Sequence, residues 1–194
     1  MVEEMTLRIG IDFDNTIVDY RPVFRPAAIE LGLLDAAFPS ADKTVIRDHL
    51  RAQPGGELAW QQLQAHVYGH AIATAPAYAG LDRFLAVARD RGAMLAIVSH
   101  KGRFAAADPG GADLRAAAHA WLVARGIVDA NSIAAADVYF EATRAEKVAR
   151  VQSLALTHFI DDLDDVLADP AFPPQTRGVL FGDSWDAVHA HVFD

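Results

Sequence analysis

Residues 7–20 read LRIGIDFDNTIVDY. The apolar run has the length and composition of a buried strand. It ends in two acids two positions apart, Asp12 and Asp14, followed by Asn15 and Thr16. A carboxylate at the end of a core strand is costly unless a cation or hydrogen-bond donors compensate it. Two close carboxylates also repel, so one rises in pKa or a cation binds between them. On the residues alone, D-x-D-x-T reads either as a metal and phosphate site or as a turn in which Asp14 and Asn15 cap the next segment.

The rest of the chain supplies the context. Strand-like apolar runs are expected at 6–12, 94–99, 137–140, 157–161 and 178–181. Most lack polar alternation, as strands covered on both faces do, which favours a parallel sheet. Helical spacing falls between them. At 80–91 the stripe is Leu81, Phe84, Leu85 and Ala88, stopped by Gly92. At 113–125 it is Leu114, Ala117, Ala118, Trp121 and Leu122, stopped by Gly126. At 143–154, Thr143 and Glu146 have capping-box spacing. Strands alternating with helices predict a doubly wound, mostly parallel five-stranded α/β fold.

One segment breaks the alternation. Between Val18 and Tyr78 there is no convincing strand, and 26–34, 41–52 and 57–73 read as helices. A helical insert directly after the first strand stands where ligands bind in open α/β sheets, at the carboxyl ends of strands, so it suits a lid. The expected division is 1–17 plus 80–194 as catalytic core and 18–79 as cap. The stretch 99–113 is long for a β–α connection, which reads as a functional loop or as a surface excursion.

Composition narrows the partners. The net charge is −9, which argues against general binding of nucleic acid or membrane surfaces, since both use basic patches. The absence of cysteine rules out disulfides and thiolate metal sites and suits a reducing compartment. With no run resembling a membrane span and no signal-peptide core in MVEEMTLR, a cytoplasmic protein is expected.

Other predicted strand ends also carry chemistry. The run MLAIVS ends in Ser99, whose hydroxyl can donate to a phosphate oxygen; THFIDD ends in Asp161 and Asp162; the helix before it carries Lys147. Singly, each has a structural alternative. Ser99 can cap a turn, Lys147 can be a solvated helix charge, and the two acids can cap the following helix. Their order along the chain is harder to explain that way.

That order resembles the haloacid dehalogenase-like (HAD) hydrolase superfamily: DFDNT as its first motif, IVSH with Ser99 as the second, Lys147 in TRAEKVAR as the third and FIDD as the fourth. The insert stands where that family places its C1-type cap. The resemblance implies a Mg²⁺-dependent phosphatase. Asp12 would attack phosphorus, forming an aspartyl-phosphate, and Asp14 would protonate the leaving alcohol and then activate water. Mg²⁺ would be held by Asp12, the backbone carbonyl of Asp14, Asp161 and Asp162. Ser99 and Lys147 would ground the phosphate, and Thr16 would support the loop. The second acid, Asp14, favours phosphate esters over carbon–halogen bonds, because a halide leaving group needs no proton. A rival fourth motif, FGDSWDAV with Asp183 and Asp186, ranks below Asp161, which ends the fourth strand.

Recognition is expected to involve Lys101 or Arg103, which follow Ser99. In the insert, Arg21, Arg25, Arg47, His49, Arg51, Trp60, His66, Tyr68 and His70 are available, most of them expected to be packing or surface residues. The expected substrate is a small phosphorylated metabolite of the sugar phosphate or nucleotide class. Two alternatives stand beside this: a nucleotide-sugar glycosyltransferase using Asp12 and Asp14 as its metal pair, and a non-catalytic module that binds a phosphorylated ligand.

Overall fold

The computed structural model describes residues 6–108, 110–129 and 132–194. Five strands form one sheet: β1 Arg8–Ile11, β2 Met94–His100, β3 Val138–Glu141, β4 His158–Asp161 and β5 Arg177–Leu180. Their order is β3-β2-β1-β4-β5 and every pairing is parallel. The α/β architecture and the five strands agree with the sequence pattern, with ends displaced by a few residues.

The chain forms two compact units. The first holds the chain up to Val18, Ala77–Lys101 and Arg125–Asp194. It contains the sheet with α4 Leu81–Asp90, α6 Arg144–Ser153, α7 Asp164–Leu167 and α8 Trp185–Phe193. Side chains alternate across the sheet. Gly10, Ala96 and Phe159 stand side by side in register, and a Cβ on Gly10 would collide with Leu156 and Phe159. This face packs as Ala96, Val98, Val148, Val151, Leu156, Phe159 and Val166. Asp12 and Asp161 follow Gly10 and Phe159 by two residues, so strand alternation carries both acids toward the helix that bears Val148 and Lys147.

The second unit holds Asp19–Pro76 and Gly102–Ala124. Its helices are α1 Arg21–Glu30, α2 Lys43–Arg51, α3 Gly56–Tyr68 and α5 Leu114–Ala124, with a short 3-10 turn at Ala71–Thr74. Phe24 stacks on Trp60 with centroids 5.4 Å apart, and Tyr20 meets Tyr68 edge-on at 4.7 Å. The insert spans Asp19–Pro76 rather than 18–79, and residues 102–124, expected in the core, belong with it. The reason is packing. Buried Trp121 on α5 donates Nε1–H to the carbonyl of Ala75 at 3.0 Å, so the apolar stripe of this helix is used inside the helical unit. The insert leaves and rejoins the sheet unit at adjacent points: Val18 bridges Ala77, and Tyr78 N donates to Ile17 O at 3.0 Å.

Among the described residues, no helix is long and apolar enough to cross a membrane.

Candidate active site

The site begins at the end of β1. Asp12 N donates to Ile160 O at 2.8 Å, extending the ladder one residue beyond the strand. The chain then turns tightly. Ile17 N and Val18 N both donate to Phe13 O, at 3.0 and 3.1 Å, and Asn15 takes a left-handed φ of 59°, a conformation asparagine tolerates better than most residues. Buried Trp185 closes the turn by donating Nε1–H to Thr16 O at 3.2 Å. Thr16 Oγ1 lies 3.5 Å from Asp12 Oδ2.

Lys147 comes from α6. Its position follows from the helix start, where Glu146 N donates to Thr143 Oγ1 at 3.1 Å and Thr143 N donates back to Glu146 Oε2 at 3.0 Å. The capping box read from the sequence is therefore formed, and it places Lys147 at the end of the first turn, over the sheet edge. Its Nζ lies 2.6 Å from Asp12 Oδ1 and 2.6 Å from Asp161 Oδ2. The ammonium is 2% exposed, so it is not a solvated helix charge. Asp161 also caps locally, since its Oδ1 accepts from Leu163 N at 3.0 Å. Its buried Oδ2 is within ion-pair distance of Lys147, yet no well-directed hydrogen bond reaches it. We read this contact as electrostatic, with lone-pair capacity left over.

The electrostatics follow from burial. Burial pushes the Asp12 carboxyl up to about 6; Lys147 pulls it down, and Asp161 and Asp14 push it up again. Asp162 is likewise raised to about 6, first by burial and then by the charge of Asp12. Burial raises Asp161, against the pull of Lys147. For Lys147 burial pulls the ammonium down, but Asp12 and Asp161 outweigh it and the group ends above its ordinary range. One ammonium among three crowded acids leaves the cluster short of positive charge.

The donor set fits a hard divalent cation. Among the described residues, Asp12, Asp161 and Asp162 each bring a carboxylate oxygen within 4.8 Å of the others. All-oxygen carboxylate ligation, together with the under-satisfied Asp161 Oδ2, matches Mg²⁺ better than a softer metal. Among the described residues the rival acids are not part of this group: Asp186 faces Arg83 at 3.6 Å on the surface, and Asp183 is exposed in the left-handed conformation, just before Ser184, which caps α8.

Asp12, Asp14, Asn15, Ser99, His100, Arg144, Lys147 and Asp162 line a cavity of about 140 Å³ together with Leu163 and Val166. The structure thus gathers Asp12, Asp14, Ser99, Lys147 and Asp162 at one cavity, with Asp161 beneath them. Lys101 is placed differently from a free substrate ligand. Its Nζ, 3% exposed, contacts Asp14 Oδ1 and Oδ2 at 2.8 and 3.0 Å. Arg103 falls in the helical unit, where it pairs with Asp113 at 2.8 Å. The insert's polar candidates are largely engaged locally. Arg21 pairs with Asp19, Arg51 with Glu57, and Arg25 binds the carbonyls of Phe38 and Ala36. Two larger cavities in that unit, about 320 and 390 Å³, share His66 and His70. Sequence reasoning passed over Arg144. Its signal was its place three residues before Lys147, which puts both on one turn of helix.

Solved structures share the fold of this chain. A hydrolase from Streptococcus pneumoniae superposes over 96% of this chain and 97% of its own with a TM-score of 0.59 at 10% identity. A HAD-superfamily hydrolase, subfamily IA, from Geobacter sulfurreducens superposes over 90% and 86% with a TM-score of 0.54 at 12% identity. The chain has the haloacid dehalogenase-like fold. A HAD family hydrolase from Deinococcus radiodurans covers 97% of this chain and 88% of its own, with a TM-score of 0.51 at 15% identity; it holds bound phosphate and sodium. No protein-family profile and no curated protein sequence matches the chain. The HAD-like fold brings the ends of β1, β2 and β4 together at the carboxyl edge of a parallel sheet, the edge at which open α/β sheets bind ligands.

Proposed function

We propose that this protein is a Mg²⁺-dependent phosphatase that hydrolyses a small phosphomonoester of the sugar phosphate or nucleotide class. The observation that carries the reading is Lys147 Nζ at 2.6 Å from both Asp12 and Asp161, with Asp14 and Ser99 on the same cavity. The phosphate bound by the Deinococcus radiodurans protein of the same fold supports it.

In this reading a carboxylate oxygen of Asp12 attacks phosphorus, and the bond from phosphorus to the ester oxygen breaks. Asp14 delivers its proton to that oxygen and the alcohol leaves. Asp14 then takes a proton from water as the water oxygen attacks phosphorus. The Asp12–phosphorus bond breaks and inorganic phosphate departs. Ser99 donates to a phosphoryl oxygen, while Lys147 holds Asp12 in line and offsets the phosphate's charge. Such transfers depend mainly on positioning and electrostatics. Asp12, Asp161, Asp162 and the backbone carbonyl of Asp14 would hold Mg²⁺, which neutralises phosphoryl charge when bound. Lys101 fixes Asp14.

The test is phosphate release from p-nitrophenyl phosphate with Mg²⁺ and with EDTA, beside Asp12→Asn. Activity that needs both Mg²⁺ and Asp12 is expected. Full activity in Asp12→Asn with EDTA present refutes the proposal. Ligand binding without release would instead mark a non-catalytic module. No observation favours the glycosyltransferase alternative, which leaves the Lys147–Asp161 contact without a task.

A further inference from the structure

We infer that Arg144 is a specificity residue and that the substrate carries a second anionic group, a carboxylate or another phosphoryl, beside the reacting phosphate. This inference rests on the phosphatase reading and names its substrate class.

Lys147 is buried and occupied by Asp12 and Asp161. Lys101 is buried and grips both oxygens of Asp14. Lys101 therefore balances one of the protein's own acids, and Lys147 is shared by two of them with the reacting phosphoryl group. Arg144 is the other permanent cation lining the cavity. Its side chain makes no hydrogen bond within the protein among the described residues, and its one ion pair is a long Nε contact to Asp169 at 3.6 Å. Asp169 itself is held, its Oδ1 accepting from Ala171 N at 2.9 Å. Arg144 is thus tethered but not satisfied. A guanidinium carries five N–H donors in a planar fork that matches carboxylate and phosphate oxygens.

Depth separates the two anion positions. Lys147 is 2% exposed and the Arg144 side chain 52%, so one cation lies at the floor and the other at the mouth. The cavity, about 140 Å³, is well below the roughly 300 Å³ at which pockets enclose a whole ligand. It has room for the reacting phosphoryl group, and the remainder of the substrate lies at the mouth with Arg144. Arg144 is also rigidly placed. It is the first residue of α6, beside the Thr143–Glu146 capping box, and His100 braces the preceding loop through a 3.0 Å contact from Nε2 to Ala142 O.

The experiment uses matched pairs: 3-phosphoglycerate against glycerol 3-phosphate, and fructose 1,6-bisphosphate against fructose 6-phosphate, with p-nitrophenyl phosphate as reference. The wild-type protein should favour the more charged member of at least one pair, and which pair tells carboxylate from phosphoryl. Arg144→Ala should lower kcat/KM for that member at least about tenfold more than for its less charged partner, as loss of a charge-assisted pair predicts, mainly through KM. Arg144→Lys should keep part of the preference, because it keeps charge without the fork. A wild type with no preference, or an Arg144→Ala that lowers both members equally, overturns the inference while p-nitrophenyl phosphate turnover leaves the phosphatase reading intact. If no ester is hydrolysed, that reading falls and binding decides the inference: pyrophosphate should raise Tm more than phosphate in wild type but not in Arg144→Ala, and equal shifts in both proteins overturn it.

Discussion

Lys147 and Asp12 stand 135 residues apart in sequence and 2.6 Å apart in space, both almost fully buried. The ammonium also serves Asp161. Removing one partner of a buried ion pair leaves uncompensated charge, which costs about 3–5 kcal/mol. Lys147→Met should therefore destabilise the metal-free protein by about that much, measured by urea unfolding. In an Asp12→Asn/Asp161→Asn background the same substitution should cost much less, since the acids it leaves behind are gone.

The raised acids make stability depend on pH and metal in a definite direction. Asp12 and Asp162 titrate at about 6 when folded, mainly through burial, against an ordinary value of 3.8. Folding then binds protons between these values. Their contribution is fully present below pH about 4 and is lost as pH rises through about 6. Melting in EDTA should show Tm falling over that window. Mg²⁺ should restore it, with a Tm gain larger at pH 7.5 than at pH 5. A Mg²⁺ effect independent of pH would contradict this assignment.

Asp14→Asn should separate good from poor leaving groups. An alkyl phosphate needs a proton on the departing oxygen, so its kcat should fall about 10²–10⁴-fold. The first step with p-nitrophenyl phosphate needs no such proton, so single-turnover loss of the nitrophenolate should slow far less. Equal losses for both esters would remove Asp14 from the acid role.

The capping box at α6 links stability to the site. Thr143→Ala should cost about 1 kcal/mol, read as a lowered midpoint of urea unfolding. Because Arg144 and Lys147 ride on the first turn, phosphate release should fall too, where an equally destabilising change at the other end of the helix should leave it nearly untouched.

Much of this was legible in the sequence. The apolar runs and the Leu81, Phe84, Leu85, Ala88 stripe report local periodicity, which a strand or helix expresses wherever it stands. The Thr143–Glu146 box is a contact over three residues and needs no tertiary information. The acids at the ends of β1 and β4 were visible because a core strand that stops in aspartate violates the ordinary pattern of burial. The fate of Lys101 and Arg103 was not visible. Both follow Ser99 closely, yet one turns onto Asp14 while the other pairs with Asp113 in the helical unit. The helix at 114–124 likewise showed its apolar stripe but not its partner.

Local pattern, then, determined the strands, the helices, the insert and which residue types arrive at which strand ends. The tertiary structure alone decided which side chains meet. The order β3-β2-β1-β4-β5 sets β1 directly beside β4, bringing Asp12 and Asp161 to one ammonium, and it lets a first-turn arginine reach the same cavity. Such meetings depend on pairing between segments far apart in the chain, and periodicity within a segment carries no record of the neighbour it will find.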